Sequence, residues 1–254
     1  MQQQPLTAHL FGSNAAQYLT SSVHSAGADL DKLMDTVKAC QAARVLDLGC
    51  GAGHASYALA RGGAKEVVAY DLAPAMLAVV ATEARSRGHS QIQTSQGPAE
   101  GLPFPDAAFD LVVTRYSAHH WLDMRRGIHE GARVLKPGGK LIVIDVMSPE
   151  IPLLDTVLQT VEILRDPSHV RNYRESEWRG VLADEGFSEA TSHRWKLPME
   201  FDAWVARIGT STARIEALKT VFDELPVEAR EYFSVDGNRS FAIDAGWWEV
   251  GKAL

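Results

Sequence analysis

At 254 residues and 46% hydrophobic, the chain is long enough for one large α/β domain with its own core, a small cap beside it and no obligatory second domain. A formal net charge of −7 with no Lys/Arg-rich run excludes the basic stripe of nucleic-acid binders, which points to a small-molecule partner. Cys40 and Cys50 fit no metal spacing and read as free thiols in a reducing compartment. The start MQQQP lacks the features of a signal peptide, and no run of about 18 apolar residues occurs. The expectation is therefore a soluble cytoplasmic protein with no metal and no membrane partner, of undetermined oligomeric state.

Residues 11 to 40 are helical in pattern. The first part, FGSNAAQYLTSSV, is small and polar, as a mobile lid would be, whereas ADLDKLMDTVKAC is amphipathic. Next comes VLDLGCGAG, residues 45 to 53, an apolar run that ends in Asp47 and then Gly49, Gly51 and Gly53. That order reads as a buried strand entering a tight turn, with a helix starting near His54. A loop without Cβ atoms presses its N–H groups against a ligand, and the helix N-terminus adds partial positive charge at the same place. A dinucleotide fingerprint G-x-G-x-x-G would put its third glycine at position 54, where His54 stands.

The G-x-G-x-G form resembles motif I of the class I S-adenosylmethionine (SAM) dependent methyltransferases. The resemblance implies SAM as cofactor, with Asp47 facing its amino-acid end and the backbone of Gly49, Cys50, Gly51 and Gly53 beside it. Residues 66 to 76, EVVAYDLAPAM, form a second strand ending at Asp71, 20 residues beyond Gly51. That is about the separation at which α/β nucleotide binders set an acid against ribose hydroxyls. Asp71 could instead cap the helix that Pro74 opens. With the glycines in view the ribose role is preferred, and Leu72 and Met76 then flank the adenine. Many small-molecule methyltransferases begin with an F-x-x-x-A-x-x-Y helix closing over SAM; Phe11, Ala15 and Tyr18 hold that pattern, which brings Tyr18 towards the methionine moiety.

A helix over 54 to 61 ends at Gly62 and Gly63, another runs from Pro74 to Arg87, and a third strand lies near Ile92 to Ser95. Family members commonly continue G-D-A-x-x-L-P-F with the acid on the adenine amino group. Here Pro98 replaces that acid, leaving the Ala99 backbone N–H and the Glu100 carboxylate as adenine contacts. The fourth strand, FDLVVTRYSAHHW, ends in Arg115, Tyr116, His119, His120 and Trp121. Ligands bind beyond the carboxyl ends of strands in open α/β sheets, which puts Arg115 at the cofactor, Tyr116 and Trp121 at a substrate, and His119 or His120 in position for proton transfer. The segment E-x-x-R-V-L-K-P-G-G at Glu130 to Gly139 matches the branch containing the ubiquinone/menaquinone-biosynthesis enzymes, and turns a helix over 125 to 135 into a fifth strand, LIVIDVM.

After Ser148 the resemblance holds only in outline. A helix over 152 to 165 is followed by the polar run DPSHVRNYRESEW, whose His169, Arg171 and Tyr173 are candidate substrate contacts, although such a run is commonly solvated. The sixth strand is expected at 189 to 197 and a final antiparallel strand within 240 to 250. The helical stretch between them, with Trp204 and Arg207 as further substrate contacts, is longer than a connection requires. Segments 1 to 40, 148 to 180 and 201 to 233 are read as cover and cap.

The sequence thus predicts a Rossmann-like, seven-stranded, mainly parallel sheet with helices on both faces and a small helical cap. The resemblance implies methyl transfer from SAM to a small molecule. A non-catalytic SAM-binding module and a nicotinamide-dependent oxidoreductase are the alternatives, the latter disfavoured by His54.

Overall fold

A computed structural model describes residues 2–20, 27–188 and 190–253. In chain order the elements are α1 (Gln3–Ser13), α2 (Ala15–Thr20), α3 (Ala28–Cys40), β1 (Arg44–Leu48), α4 (His54–Arg61), β2 (Glu66–Asp71), α5 (Pro74–Ser86), β3 (Ile92–Gln96) and β4 (Phe109–Arg115). A 3-10 turn (Ala118–His120), α6 (Met124–Val134), β5 (Leu135–Ser148), α7 (Pro152–Arg165), β6 (Tyr173–Arg174) and α8 (Glu175–Asp184) follow. The chain closes with β7 (Thr191–Met199), α9 (Phe201–Arg207), α10 (Thr212–Asp223), α11 (Val227–Tyr232) and β8 (Phe241–Gly251).

The sheet runs β3-β2-β1-β4-β5-β8-β7, with β8 antiparallel to both its neighbours. Strands β1 and β4 read as continuous apolar runs because helices cover both faces of the sheet, so nearly every side chain is buried. One face packs Ile128 and Val134 of α6 and Trp178 of α8, and the other packs Leu33 and Val37 of α3 and Leu59 of α4. Strand order reverses between β1 and β4, and the loops that leave these strands open the crevice where such folds bind ligands.

Three departures from the sequence reading have local causes. A parallel two-residue β6, pairing Tyr173 and Arg174 with Met147 and Ser148, makes the sheet eight-stranded; so short a strand carries no periodicity. The expected turn at Lys136–Lys140 lies inside β5, where pairing with β4 jumps from Phe109↔Leu135 to Leu111↔Lys140 and the residues between bulge out. The N-terminal helix begins at Gln3 and breaks at Asn14, whose side-chain amide donates to Leu10 O and Ile208 O. Residues 21 to 23 of the expected lid lie outside the described residues. Helices α7, α9, α10 and α11 enclose an apolar cluster around Trp204, Leu218 and Phe222 against Val146 and Ile243, while Trp178 of α8 packs in the core of the sheet instead. No described helix is long and apolar enough to cross a membrane.

Candidate active site

The glycine loop after β1 is held from beneath. Gly49 N and Cys50 N both donate to Tyr70 O, at 2.8 and 3.0 Å. Gly49, Gly51 and Gly53 have φ of +74°, +50° and +89°, the left-handed region that glycine enters at no steric cost. At Gly51 a Cβ would meet nothing within 4 Å, so it would project into the open space over the loop. At Gly53 it would come within 2.9 Å of Tyr57 and Val80, so this glycine is needed for packing against α4 and α5.

Two acids frame the loop. The Asp71 carboxylate accepts from Gly51 N and from Ala73 N, both at 2.8 Å, and so ties the loop to the end of β2. A carboxylate has about four acceptor positions, which leaves two of these for a ligand. Burial raises the Asp71 pKa against those same backbone hydrogen bonds. Asp47 is wholly buried; its Oδ2 accepts from Ser56 Oγ at 2.5 Å, while Oδ1 has no partner among the described residues. Burial, opposed by the Ser56 hydrogen bonds, pushes the Asp47 pKa up to about 6. An unpaired carboxylate oxygen in this setting costs stability unless a cation or donor reaches it.

Three cavities adjoin here and share the rings of Phe11 and Tyr116. The first, of about 650 Å³, lies between the loop, Asp71, Leu72, Ala99 and Glu100, and α1 covers it with Gln4 and Thr7. The second, of about 470 Å³, is lined by Asp47, Cys50, Met76 and Arg115, with Tyr18 of α2 above. His54 Nε2 lies 3.1 Å from Tyr18 O and fastens α2 to the loop side. The third, of about 490 Å³, is lined by His119 and His120 at the end of β4, by Glu162 and Arg165 of α7, and by Trp204 and Arg207 of α9. Tyr116, where the cavities meet, has φ +50°, a strained conformation for a non-glycine residue of the kind that clusters at functional sites.

The two histidines are not equivalent. His119 Nδ1 sits 2.5 Å from Asp145 Oδ1, and its Nε2 has no partner among the described residues. Burial opposes charge on this ring, yet the charge and hydrogen bond of Asp145, with Glu162 and Asp166 beyond, leave its pKa raised. His120 Nδ1 faces Ser168 O at 3.3 Å, and burial followed by the neighbouring His119 lowers its pKa to about 4.

Most of the residues expected from sequence line these cavities, but several do so in a different place. Met76 borders the second cavity, so Leu72 alone of the expected pair borders the first. Trp121 also borders the first, its Nε1 donating to Ser117 Oγ, and not the third, where a substrate contact was expected. Glu100 reaches the first cavity with its oxygens already accepting from Leu122 N, Asp123 N and Gln4 Nε2. Arg115 lies against Asp29 at 2.6 Å.

His169, Arg171 and Tyr173 are not brought to any of the three cavities. His169 bonds Gln159 Oε1, Arg171 pairs with Asp155 and Glu177, and Tyr173 packs on Trp178. Nor is their loop solvated. Asp166, Ser168 and Asn172 are buried, and Val170 N and Arg171 N donate to His119 O, so the loop is a brace behind the histidines. Sequence reading missed Asp145, Glu162 and Arg165. The available signal was a charge inside an otherwise apolar strand or helix face, because such a charge is kept only with a partner or a purpose.

A glycine cradle at the switch point of a doubly wound sheet, with acids at the ends of β1 and β2, is the arrangement of a Rossmann-like α/β fold, whose ligands bind in this crevice. The sequence profile of a family described as a methyltransferase domain matches residues 46–143. The chain is 47% identical over 187 residues to the uncharacterised protein YafE of Escherichia coli, covering 74% of this chain and 90% of YafE. It is 36% identical over 230 residues to the uncharacterised methyltransferase YcgJ of Bacillus subtilis, covering 91% of this chain and 90% of that protein. The crystal structure of YcgJ superposes with a TM-score of 0.84 over 89% of this chain and 99% of its own, at 34% identity. A demethylmenaquinone methyltransferase of Clavibacter sepedonicus is 38% identical over 111 residues, 44% of each chain. The chain belongs to the methyltransferase family and is an enzyme of that class, and the family implies use of SAM.

Proposed function

We propose that the enzyme transfers a methyl group from SAM to a small molecule held in the third cavity. The observation that carries this reading is Asp47 Oδ1, a buried acceptor with no partner among the described residues, beside a glycine loop that at Gly51 faces open space. The residues fit the cofactor part by part. The first cavity, with Asp71 for ribose hydroxyls and Leu72 for the base, suits adenosine. The second suits the amino-acid tail, whose ammonium would complete Asp47. Phe11 and Tyr116, common to all three cavities, put aromatic faces where a sulfonium would sit, and rings of this kind attract cations.

SAM supplies an electrophilic methyl group on a positively charged sulfur. The chain's own contribution is proximity, orientation and exclusion of water, which together account for much of the barrier lowering in such bimolecular reactions. His119 is the proposed base. Asp145 accepts from Nδ1–H and so sets the tautomer in which the Nε2 lone pair is free to take a proton from an acceptor hydroxyl, thiol or ammonium. His120, bonded to the loop backbone and poorly basic, shapes the cavity wall and packs edge-on to Phe11 at 4.7 Å.

Calorimetric titration tests the cofactor assignment. SAM and its product S-adenosylhomocysteine should each bind once per chain while NADH gives no saturable heat; NADH binding without either sulfur compound would overturn it.

A further inference from the structure

The third cavity has a charge imbalance that methyl transfer as such does not require. Its apolar wall consists of Val146, Leu197, Met199, Trp204 and Ile243, and two guanidiniums, Arg165 and Arg207, enter it beside a single carboxylate, Glu162. Arg165 is already answered: it lies 3.7 Å from Glu162 and donates through Nε to Trp204 O at 3.0 Å. His119 is likewise answered, by Asp145. Arg207, at the end of α9, has no hydrogen-bond or ion-pair partner for its guanidinium among the described residues, although neighbours shield much of it from solvent. Burial and the like charge of Arg165 disfavour its charged form and outweigh the opposing pull of Tyr18 and Glu162. A cation against an apolar wall persists at a cost unless an anion joins it, and the planar fork of arginine matches a carboxylate with two parallel hydrogen bonds.

Resting on the methyltransferase reading above, we propose that the acceptor is an apolar carboxylic acid whose carboxylate pairs with Arg207 and whose body lies along Trp204 and Ile243. The carboxylate is a handle, and the methylated atom is a separate group turned towards His119. Arg207 is thus a specificity residue for the acceptor, not a cofactor ligand.

The experiment uses the full chain saturated with S-adenosylhomocysteine. Benzoate, phenylacetate, 3-phenylpropionate, 4-hydroxybenzoate and octanoate are titrated, each beside its primary amide, with Trp fluorescence and calorimetry as readouts. At least one acid should bind ten times or more tightly than its amide, and Arg207→Gln should remove that preference while S-adenosylhomocysteine affinity stays within twofold. The proposal falls if no acid outbinds its amide tenfold, or if the preference survives in Arg207→Gln. Failure of S-adenosylhomocysteine itself to bind would overturn the cofactor reading, and is seen before any acid is added.

Discussion

Asp47 and Gly51 make separable demands on a ligand, so their variants should fail differently. With the Asp47 pKa near 6, the carboxylate is about nine-tenths ionised at pH 7 and about one-tenth at pH 5. Affinity for S-adenosylhomocysteine should therefore fall about tenfold between those values, and proton release on binding should rise from about one-tenth of a proton at pH 7 to about nine-tenths at pH 5. Asp47→Asn should bind weakly and with no such pH dependence; an equally steep profile in the variant would assign the titration elsewhere. The raised pKa also means that ionised Asp47 burdens the free protein, a burden relieved as pH falls below about 6. Gly51→Val should bind no S-adenosylhomocysteine. Its φ of +50° also imposes a backbone cost of about 1–2 kcal/mol, so Gly88→Val is the control, with φ +72° and no neighbour within 4 Å of a Cβ. Both variants should melt lower, but only the first should lose the ligand. At Asp71, loss of a charged hydrogen-bond acceptor on substitution by Ala should weaken binding by roughly 1.5–3 kcal/mol. Because both oxygens already brace backbone, the unliganded protein should also melt earlier, which a purely ligand-facing acid would not cause.

Helices α1 and α2 roof the first two cavities with little core of their own beyond Ala15 and Tyr18, packed on Ala52, Ala73 and Met76. Hydrogen exchange over residues 3–20 should slow when S-adenosylhomocysteine binds, whereas residues 166–172, where Asp166, Ser168, His169 and Asn172 are buried and Val170 and Arg171 are tied to His119, should be equally protected with and without it. Unchanged exchange in the two helices would remove the roof from the mechanism. The contrast shows what the sequence could convey at this scale. The β1 loop and the acid ending β2 were legible because strand, glycines and spacing are local signals. The 166–172 segment was not, because His169 Nε2 and Asn172 N are held by Gln159 Oε1, and Val170 N and Arg171 N by His119 O, distant partners that composition cannot reveal. Helix α1 was overlooked before residue 11 because its apolar positions follow no single face, and what fixes it is distant: Gln3 Nε2 donates to His120 O and Ser168 O, and Gly12 packs on Ala75 of α5.

Across the whole molecule, Asp155 links the sheet to the cap: it accepts from Ser148 at the end of β5, from Gln159 on its own helix, and from Arg171 and Arg174. Burial opposes its charge, but these donors outweigh it and hold its pKa well below the usual carboxylate range. A depressed carboxylate stabilises the fold fully above its unfolded pKa of about 3.9 and loses that contribution as pH falls towards the folded value. Stability should therefore drop on acidification below about pH 4, and Asp155→Asn should be less stable at pH 7 with a shallower acid limb in chemical denaturation. An unchanged limb would mean that other carboxylates dominate. A mainly parallel sheet with an antiparallel return was foreseeable from alternating strand and helix signals; the order of its strands was not, because pairing partners leave no local trace. Which cap residues face the acceptor was not: Arg171 and Arg207 look alike in sequence, and only the ion pairs of the first with Asp155 and Glu177 set them apart. The central claim, that the glycine cradle and its two acids hold SAM with its methyl group directed at the third cavity, is tested most directly by a crystal structure with S-adenosylhomocysteine. In that complex the ammonium should lie on Asp47 Oδ1, the ribose on Asp71 and the sulfur between Phe11 and Tyr116. An adenosine placed outside the first cavity, or an Asp47 Oδ1 still without a partner in the complex, would contradict it.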